Sequence, residues 1–282
     1  VKAQAADVRV QVLSPATIHS IARDTWNHPT LMVCLIGIPG LSIRRGKILM
    51  TRPIPKLQQA EMMKLGGIQT PHVELYNFGA ELDPAIWGSH VVLKPHNLQL
   101  TSKGQGLEIM PTEKLSGMQA QDFAPDHFVH QHKMLVQRFI DTGRQPVWYR
   151  ACTFMGEVLY IIKAVAKIEK DATGVPKDFH SKGELQSFAF EPYPHIHAFA
   201  RKVAAGFPFS PLLGCDILEE HGTGDLYALE VNAGGNVWHF SSPFYAQDRI
   251  ENPQYNELRL NQYNAFDTAA KALISATRRL AV

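Results

Sequence analysis

Residues 212–236 read LLGCDILEEHGTGDLYALEVNAGGN, two apolar runs either side of a polar, glycine-containing turn. Runs 212–218 and 226–231 predict adjacent antiparallel strands joined at 221–225. Asp216 is set among Leu212, Leu213, Ile217 and Leu218, and Glu230 lies between Leu229 and Val231. Side chains two apart in a strand share a face, so Glu230 and Asn232 point together, and pairing brings Asp216 opposite them. Two carboxylates and an amide oxygen then converge with no Lys or Arg near them in sequence. Such a cluster repels itself unless it holds a cation. Hard oxygen donors suit magnesium, with manganese as the alternative. An ordinary hairpin with Asp216 and Glu230 facing outward explains the pattern about as well. Gly234 and Gly235 favour the first reading, because paired glycines suggest backbone held close to a ligand.

Two upstream segments carry related chemistry. VVLKP at 91–95 ends an apolar strand on Lys94, and SKGQG at 102–106 follows with Gly104 and Gly106. An ammonium facing a glycine loop supplies charge and amide donors to phosphate oxygens. The pattern is not a GxxxxGK[ST] loop, and a surface hairpin is the plain alternative. MLVQRFIDTG at 134–143 ends a strand in Gln137, Arg138, Phe139, Ile140 and Asp141. It offers backbone groups to an adenine edge, apolar contact to its face and a carboxylate to ribose. Taken alone, a core strand with an Asp-Thr-Gly turn is the simpler reading.

The remaining pattern predicts a strand at 8–13, a helix at 16–26, a strand at 31–36 and a hairpin with arms LSIRR and KILMT around Arg45-Gly46. A proline hinge follows at 52–55, then a helix at 56–64 with Leu57, Ala60 and Met63 on one face, ended by Gly66-Gly67. Short strands are predicted at 72–76, 91–94 and 107–110, and a helical segment at 112–118. Strands at 134–140, 147–154 and 158–165 read as consecutive antiparallel neighbours. Residues 167–190 read as a long loop, followed by helices at 195–205 and 258–279. The domain reading is a short N-terminal α/β lobe (1–51), a small subdomain (52–133) and a C-terminal subdomain with the metal candidate (134–282).

The chain has 282 residues, 45% hydrophobic and 19% charged, with a net charge of +2. This is an ordinary globular composition, and no basic block suggests nucleic-acid binding. The apolar run at 31–41 is too short to span a bilayer and is broken by Gly and Pro, so no membrane partner is expected. The first ten residues lack the apolar core of a signal peptide, and the first residue is Val. Cys34, Cys152 and Cys215 are far apart without CxxC spacing, which points to buried thiols in a reducing, cytoplasmic setting. His195 and His197 lie two apart and do not share a helix face, so they make no metal pair. Trp238, His239 and Phe240 either line an acceptor pocket or belong to the core.

In order, LKP, the glycine loop, VQRFIDTG, YRACTFMGEVLYIIK, GCDIL and LEVNAGGN resemble the ATP-grasp superfamily across roughly residues 55–240. The style is most similar to glutathione synthetases and ribosomal-protein glutamate ligases, and less so to D-alanine–D-alanine ligases. The resemblance implies an α+β ATP-grasp fold, two α+β subdomains clasping ATP. It implies that Lys56 and Lys94 hold phosphates under a lid at 101–106, that Gln137, Arg138, Phe139 and Ile140 form the adenine hinge, and that Asp141 meets ribose. Asp216, Glu230 and Asn232 match the magnesium ligands, Arg150 the arginine on the transferring phosphoryl group, and Lys163 a basic residue near the γ-phosphate. Departures are Gln137 where Glu is frequent, NAGGN without a Pro, and a short N-terminal lobe. The implied reaction is phosphorylation of a small-molecule carboxylate to an acyl phosphate that an amine or thiol attacks, in a monomer or homodimer. A kinase on the same fold, a non-catalytic nucleotide-binding module and an interaction protein are the competing readings.

Overall fold

The computed structural model describes residues 1, 4–14, 17, 27–96, 106–166 and 186–282. It is an α+β chain organised around two antiparallel sheets and a smaller parallel pair. Strands β1 (Thr30–Cys34) and β2 (Gly46–Met50) form that pair. Helix α1 (Lys56–Leu65) follows the proline-rich segment and buries Gln59, Ala60 and Met63. Gly67, at φ 63°, turns the chain out of the helix.

The first sheet has the order β3-β6-β4-β5, from β3 (Val73–Leu75), β4 (His90–Pro95), β5 (Glu108–Pro111) and β6 (Met134–Arg138). Helices α2 (Pro84–Trp87) and α3 (Thr112–Leu115) cover it. Val91, Leu93, Leu115 and Val136 are nearly inaccessible and form its core with Trp87. The second sheet has the order β11-β10-β7-β8-β9. Its strands are β7 (Val147–Phe154), β8 (Glu157–Ala166), β9 (Gln186–Ala189), β10 (Leu212–Glu219) and β11 (Leu226–Ala233).

Alternation divides the second sheet cleanly. Ala151, Ile161, Leu213, Cys215 and Ile217 pack on one face against Ile196, Ala200 and Val203 of α4 (Pro194–Ala205). Cys152, Tyr160, Ile162 and Leu212 face the other way, toward Ala265 and the Trp238–Phe240 corner. Each large aliphatic side chain so buried contributes about 1.5–3 kcal/mol. Helices α5 (Ala246–Glu251), α6 (Pro253–Gln262) and α7 (Ala265–Leu280) close the chain, and Arg278 of α7 ion-pairs with Asp7 at 2.8 Å. The three cysteines are buried and free. Among the described residues, no helix is long and apolar enough to cross a membrane.

Several expectations change. Residues 8–13 form no strand, and the helix at 16–26 lies outside the described residues except for Ala16's neighbour Thr17. The hairpin around Arg45-Gly46 is instead the parallel pair, with Thr30 aligned on Gly46. Gly46 adopts φ +106°, and a Cβ there would stand 2.0 Å from the Thr30 carbonyl oxygen. Close backbone approach explains this glycine better than a tight turn does. Gly46→Ala is expected to cost about 1–3 kcal/mol or more in a urea melt, from backbone strain and the clash. Strand β6 pairs with β3 and β4 in the first sheet, so it is no neighbour of β7. The C-terminal helix is two helices, broken where Asn264 takes the left-handed conformation at φ 49°. Of the long loop, 167–185 lie outside the described residues, and Gln186–Ala189 form a strand on β8.

Candidate functional site

Regular pairing through the turn that joins β10 and β11 aligns Glu219 with Leu226, Leu218 with Tyr227 and Ile217 with Ala228. Continued without interruption, it would place Leu229 opposite Asp216 and turn Glu230 to the other face. A β-bulge between Asp216 and Ile217 steps over Leu229, so that Asp216 aligns with Glu230. Bulges re-aim side chains in this way, and here both carboxylates reach one face. Asn232 completes the group, its amide nitrogen 3.2 Å from Asp216 Oδ2 and 3.3 Å from Glu230 Oε1.

Tertiary structure supplies the cations absent from the local sequence. Arg150 on β7 aligns with Asp216 and donates Nε and Nη2 to its two oxygens, each at 2.7 Å. Lys56, opening α1, donates Nζ to Glu230 Oε2 at 2.6 Å. The expected self-repulsion is therefore relieved by Arg150 and Lys56. Gln59, one turn after Lys56, fixes the helix by accepting from the Val231 amide and donating to the Ile54 carbonyl, both at 2.9 Å. Sequence reasoning passed over Gln59; its signal is a polar residue beside the apolar stripe of α1.

The first sheet contributes Lys94 and Gln137, both buried, with Lys94 Nζ donating to Gln137 Oε1. Burial and the charge of Lys56 lower the Lys94 ammonium to about 7, against the pull of Glu230. Burial would raise the Glu230 carboxyl, but Lys56 and, more weakly, Lys94 and Asn232 hold it down at about 2. Burial pushes the Asp216 carboxyl up, and the Arg150 guanidinium opposes that push. Arg150 in turn is driven well above its ordinary value by Asp216. Lys56, Lys94 and Arg150 thus set three basic groups against two carboxylates where the two sheets meet, a balance suited to an anionic ligand.

The donor set fits a hard divalent cation in chemistry. A carboxylate offers about four lone-pair positions. Glu230 has Lys56 on one oxygen and Asn232 on the other, which leaves capacity on both. Asn232 presents its NH2 to the carboxylates, and a half-turn of the amide presents its oxygen instead. Among the described residues, no three His, Cys, Asp or Glu side chains gather as a metal cluster, so the candidate is two carboxylates and an amide.

Lys163 aligns with Tyr149, one row from the Arg150 row, and so projects from the opposite face of the sheet. There its Nζ lies 5.8 Å from the Tyr149 ring centre. Arg138 is engaged by Glu220 at 2.7 Å and the Tyr227 hydroxyl at 3.1 Å. The backbone amides of Arg138 and Phe139 already bond the His72 and His90 carbonyls, at 2.8 and 3.1 Å. Ile140 is buried, and Asp141 caps its own turn by accepting from the Gly143 amide at 3.0 Å. Gly104 lies outside the described residues. Gly106, at φ +66°, turns against Phe128 and Pro95.

The Gly234-Gly235 corner also has an internal explanation. Gly235 donates to the Leu35 carbonyl at 2.9 Å, and a Cβ on Gly234 would lie 3.1 Å from that oxygen. The close approach is to β1's end, which corrects the ligand reading of these glycines. Trp238 and Phe240 are partly buried, packing against the core on one side and contacting the exposed Phe266 ring, and His239 is buried. Burial lowers the His239 imidazole to about 3, with the Arg259, Arg150 and Arg249 charges adding to the effect. Besides Gln59, sequence reasoning missed Tyr245, whose phenol interacts with Arg150, and Trp148, two before Arg150 on the same face and partly exposed.

The sequence matches no protein-family model and no curated protein. Among solved structures, the chain is similar to the D-alanine–D-alanine ligase of Bacillus anthracis, at 14% identity over 80% of this chain and 68% of that one, TM-score 0.45. It is similar to the D-cycloserine synthetase DcsG at 12% identity over 64% of this chain and 62% of that one, TM-score 0.47. The ATP-grasp ligase PsnB, complexed with minimal precursor, gives 17% identity over 64% and 53%, TM-score 0.40. The chain therefore spans between 53% and 68% of the length of these proteins. All three TM-scores lie below 0.5, and the site is assigned from its own residues.

Proposed function

We propose that this protein is a magnesium- and ATP-dependent ligase of the ATP-grasp type, which activates a small-molecule carboxylate for attack by an amine. The observation that carries this reading is the convergence of Lys56, Lys94 and Arg150 on the Asp216–Glu230–Asn232 group where the two sheets meet. The order of motifs along the chain supports it.

In this reading Lys56 and Lys94 bind phosphate oxygens of ATP, and Arg150 offsets charge on the transferring phosphoryl group. A magnesium ion held by Asp216, Glu230 and Asn232 supplies further charge neutralisation at the phosphates. Gln59 keeps Lys56 in place, and Gln137 orients Lys94. Trp148 offers a flat apolar surface beside Arg150. The acyl phosphate forms as the substrate carboxylate attacks the γ-phosphorus and ADP leaves; the amine then displaces inorganic phosphate.

The test is phosphate release from ATP with pooled amino acids and small carboxylates, followed by mass spectrometry of the products. An amide product with ADP and phosphate supports the ligase. A stable phosphate ester selects the kinase, and absence of turnover with bound ATP selects the non-catalytic module.

Lys94 provides a separate check. Its ammonium is lowered to about 7, so the unfolded chain binds more protons than the folded one between that value and the ordinary 10.5. Stability from this group therefore rises with pH across that window. An arriving triphosphate favours the charged ammonium, so nucleotide binding near neutral pH is expected to take up a proton. Calorimetric enthalpies should then differ between buffers of different ionisation heat, and Lys94→Met should remove that part of the difference.

A further inference from the structure

On the face of the second sheet opposite Arg150 and Asp216 lies an open cleft of about 330 Å³, lined by Thr142, Tyr149, Lys163, Glu219, His221 and Thr223 among others. This is within the size range of small-molecule sites. Lys163 and Glu219 reach it from the same face, because Lys163 aligns with Tyr149, Tyr149 with Ile217, and Glu219 stands two residues beyond Ile217. They are not paired with each other. Tyr149 stands between them, its ring 5.8 Å from Lys163 Nζ and its hydroxyl donating to Glu219 Oε2 at 3.1 Å.

Among the described residues, the two charges are less engaged than their neighbours. Glu220 is committed to Arg138 at 2.7 Å and also accepts from the Tyr227 and Thr223 hydroxyls, each at 3.3 Å. Among the described residues, Lys163 has no carboxylate within ion-pair distance. Glu219 is anchored through Oε2 by Tyr149 and by His195 at 3.4 Å, and its side chain, 37% exposed, lines the cleft with no partner for Oε1 among the described residues. A simple anion would meet Lys163 but be opposed by Glu219, and a simple cation would meet the reverse. A molecule carrying both charges a few atoms apart satisfies both walls.

We propose that this cleft binds an α-amino acid zwitterion, its carboxylate on Lys163 and its ammonium on Glu219. The site is separated by the sheet from the Asp216–Glu230 group and does not rest on the nucleotide reading. The two are nonetheless adjacent in the chain, since Tyr149 precedes Arg150 and Ile217 follows Asp216.

The test is calorimetric titration of the full chain with glycine, L-alanine, L-glutamate and L-lysine at millimolar concentration, with N-acetylglycine and glycinamide as singly charged controls. At least one zwitterion is expected to bind, with both controls weaker by about tenfold or more, as loss of one charge-assisted contact implies. Lys163→Met and Glu219→Gln should each weaken binding by a similar factor, whereas Glu230→Gln, on the other face, should leave it unchanged. The controls on the unaltered protein decide the matter even where a variant folds poorly. No zwitterion binding, equal binding of N-acetylglycine, or binding lost in Glu230→Gln would overturn the proposal.

Discussion

Glu230→Gln is expected to lower magnesium-dependent ATP turnover by about 10²–10³, the effect of removing one preorganised electrostatic contact in a buried site, ~3–4 kcal/mol. The substitution keeps the shape of the side chain and its bond to Asn232, but removes the charge that Lys56 meets at 2.6 Å. Lys56 opens α1, and Gln59 independently ties that helix to Val231, so the fold should survive. Leaving Lys56 without its partner also costs stability, so turnover is compared well below the melt of the variant. Turnover at the unaltered rate in a folded variant would remove Glu230 from the reaction.

The second large effect concerns stability. Arg150→Met leaves the buried Asp216 carboxylate without its two-bond partner, and breaking a buried ion pair from one side costs about 3–5 kcal/mol. The Arg150 side chain is 32% exposed, so solvent screens part of this and the lower end of the range is expected. Burial already pushes the Asp216 carboxyl above its ordinary value, and loss of Arg150 pushes it further. A carboxyl raised in the folded state destabilises as pH climbs from its unfolded value through its folded one. The variant should accordingly recover stability as pH falls through that window. Adding Asp216→Asn should restore much of the loss, since removing both partners leaves less buried charge uncompensated. Urea melts of the two single variants and the double variant measure this coupling directly. Additive losses would show that the pair contributes no interaction of its own.

Much of this organisation is legible in the sequence, for physical reasons that can be named. The apolar runs at 147–154, 158–165, 212–218 and 226–231 all form strands, because β-branched and aromatic residues fill a sheet that packs on both faces. Helix α1 starts at Lys56 after Pro55 and ends at Leu65 before Gly66, as proline and glycine dictate. The site was harder to read because it depends on two bulges. One, at Asp216/Ile217, brings Glu230 to the Asp216 face; simple alternation through the turn would have parted them. The other shifts register between Cys152 and Thr153 and steps over Leu159. Without it, Lys163 would align with Trp148 and share the Arg150 face. With it, Lys163 belongs to the opposite cleft. No residue type announces either bulge.

Long-range contacts were the other illegible part. The expectation that Asp216 and Glu230 stand without cations followed from local sequence, whereas Arg150 lies 66 positions and Lys56 174 positions from its partner. The glycine corner misled for a similar reason. Gly234 and Gly235 signal close approach correctly, but the approaching group is the Leu35 backbone. The parallel pairing of β1 and β2 likewise rests on Thr30 meeting Gly46, a contact that local turn chemistry does not encode.

Equilibrium titration with a non-hydrolysable ATP analogue, with magnesium and with chelator, bears most directly on the proposed nucleotide site. The structure leads us to expect saturable binding that chelation weakens and that Asp216→Asn or Glu230→Gln weakens in the magnesium arm. No binding by the folded protein, or affinity indifferent to both metal and carboxylates, would contradict it.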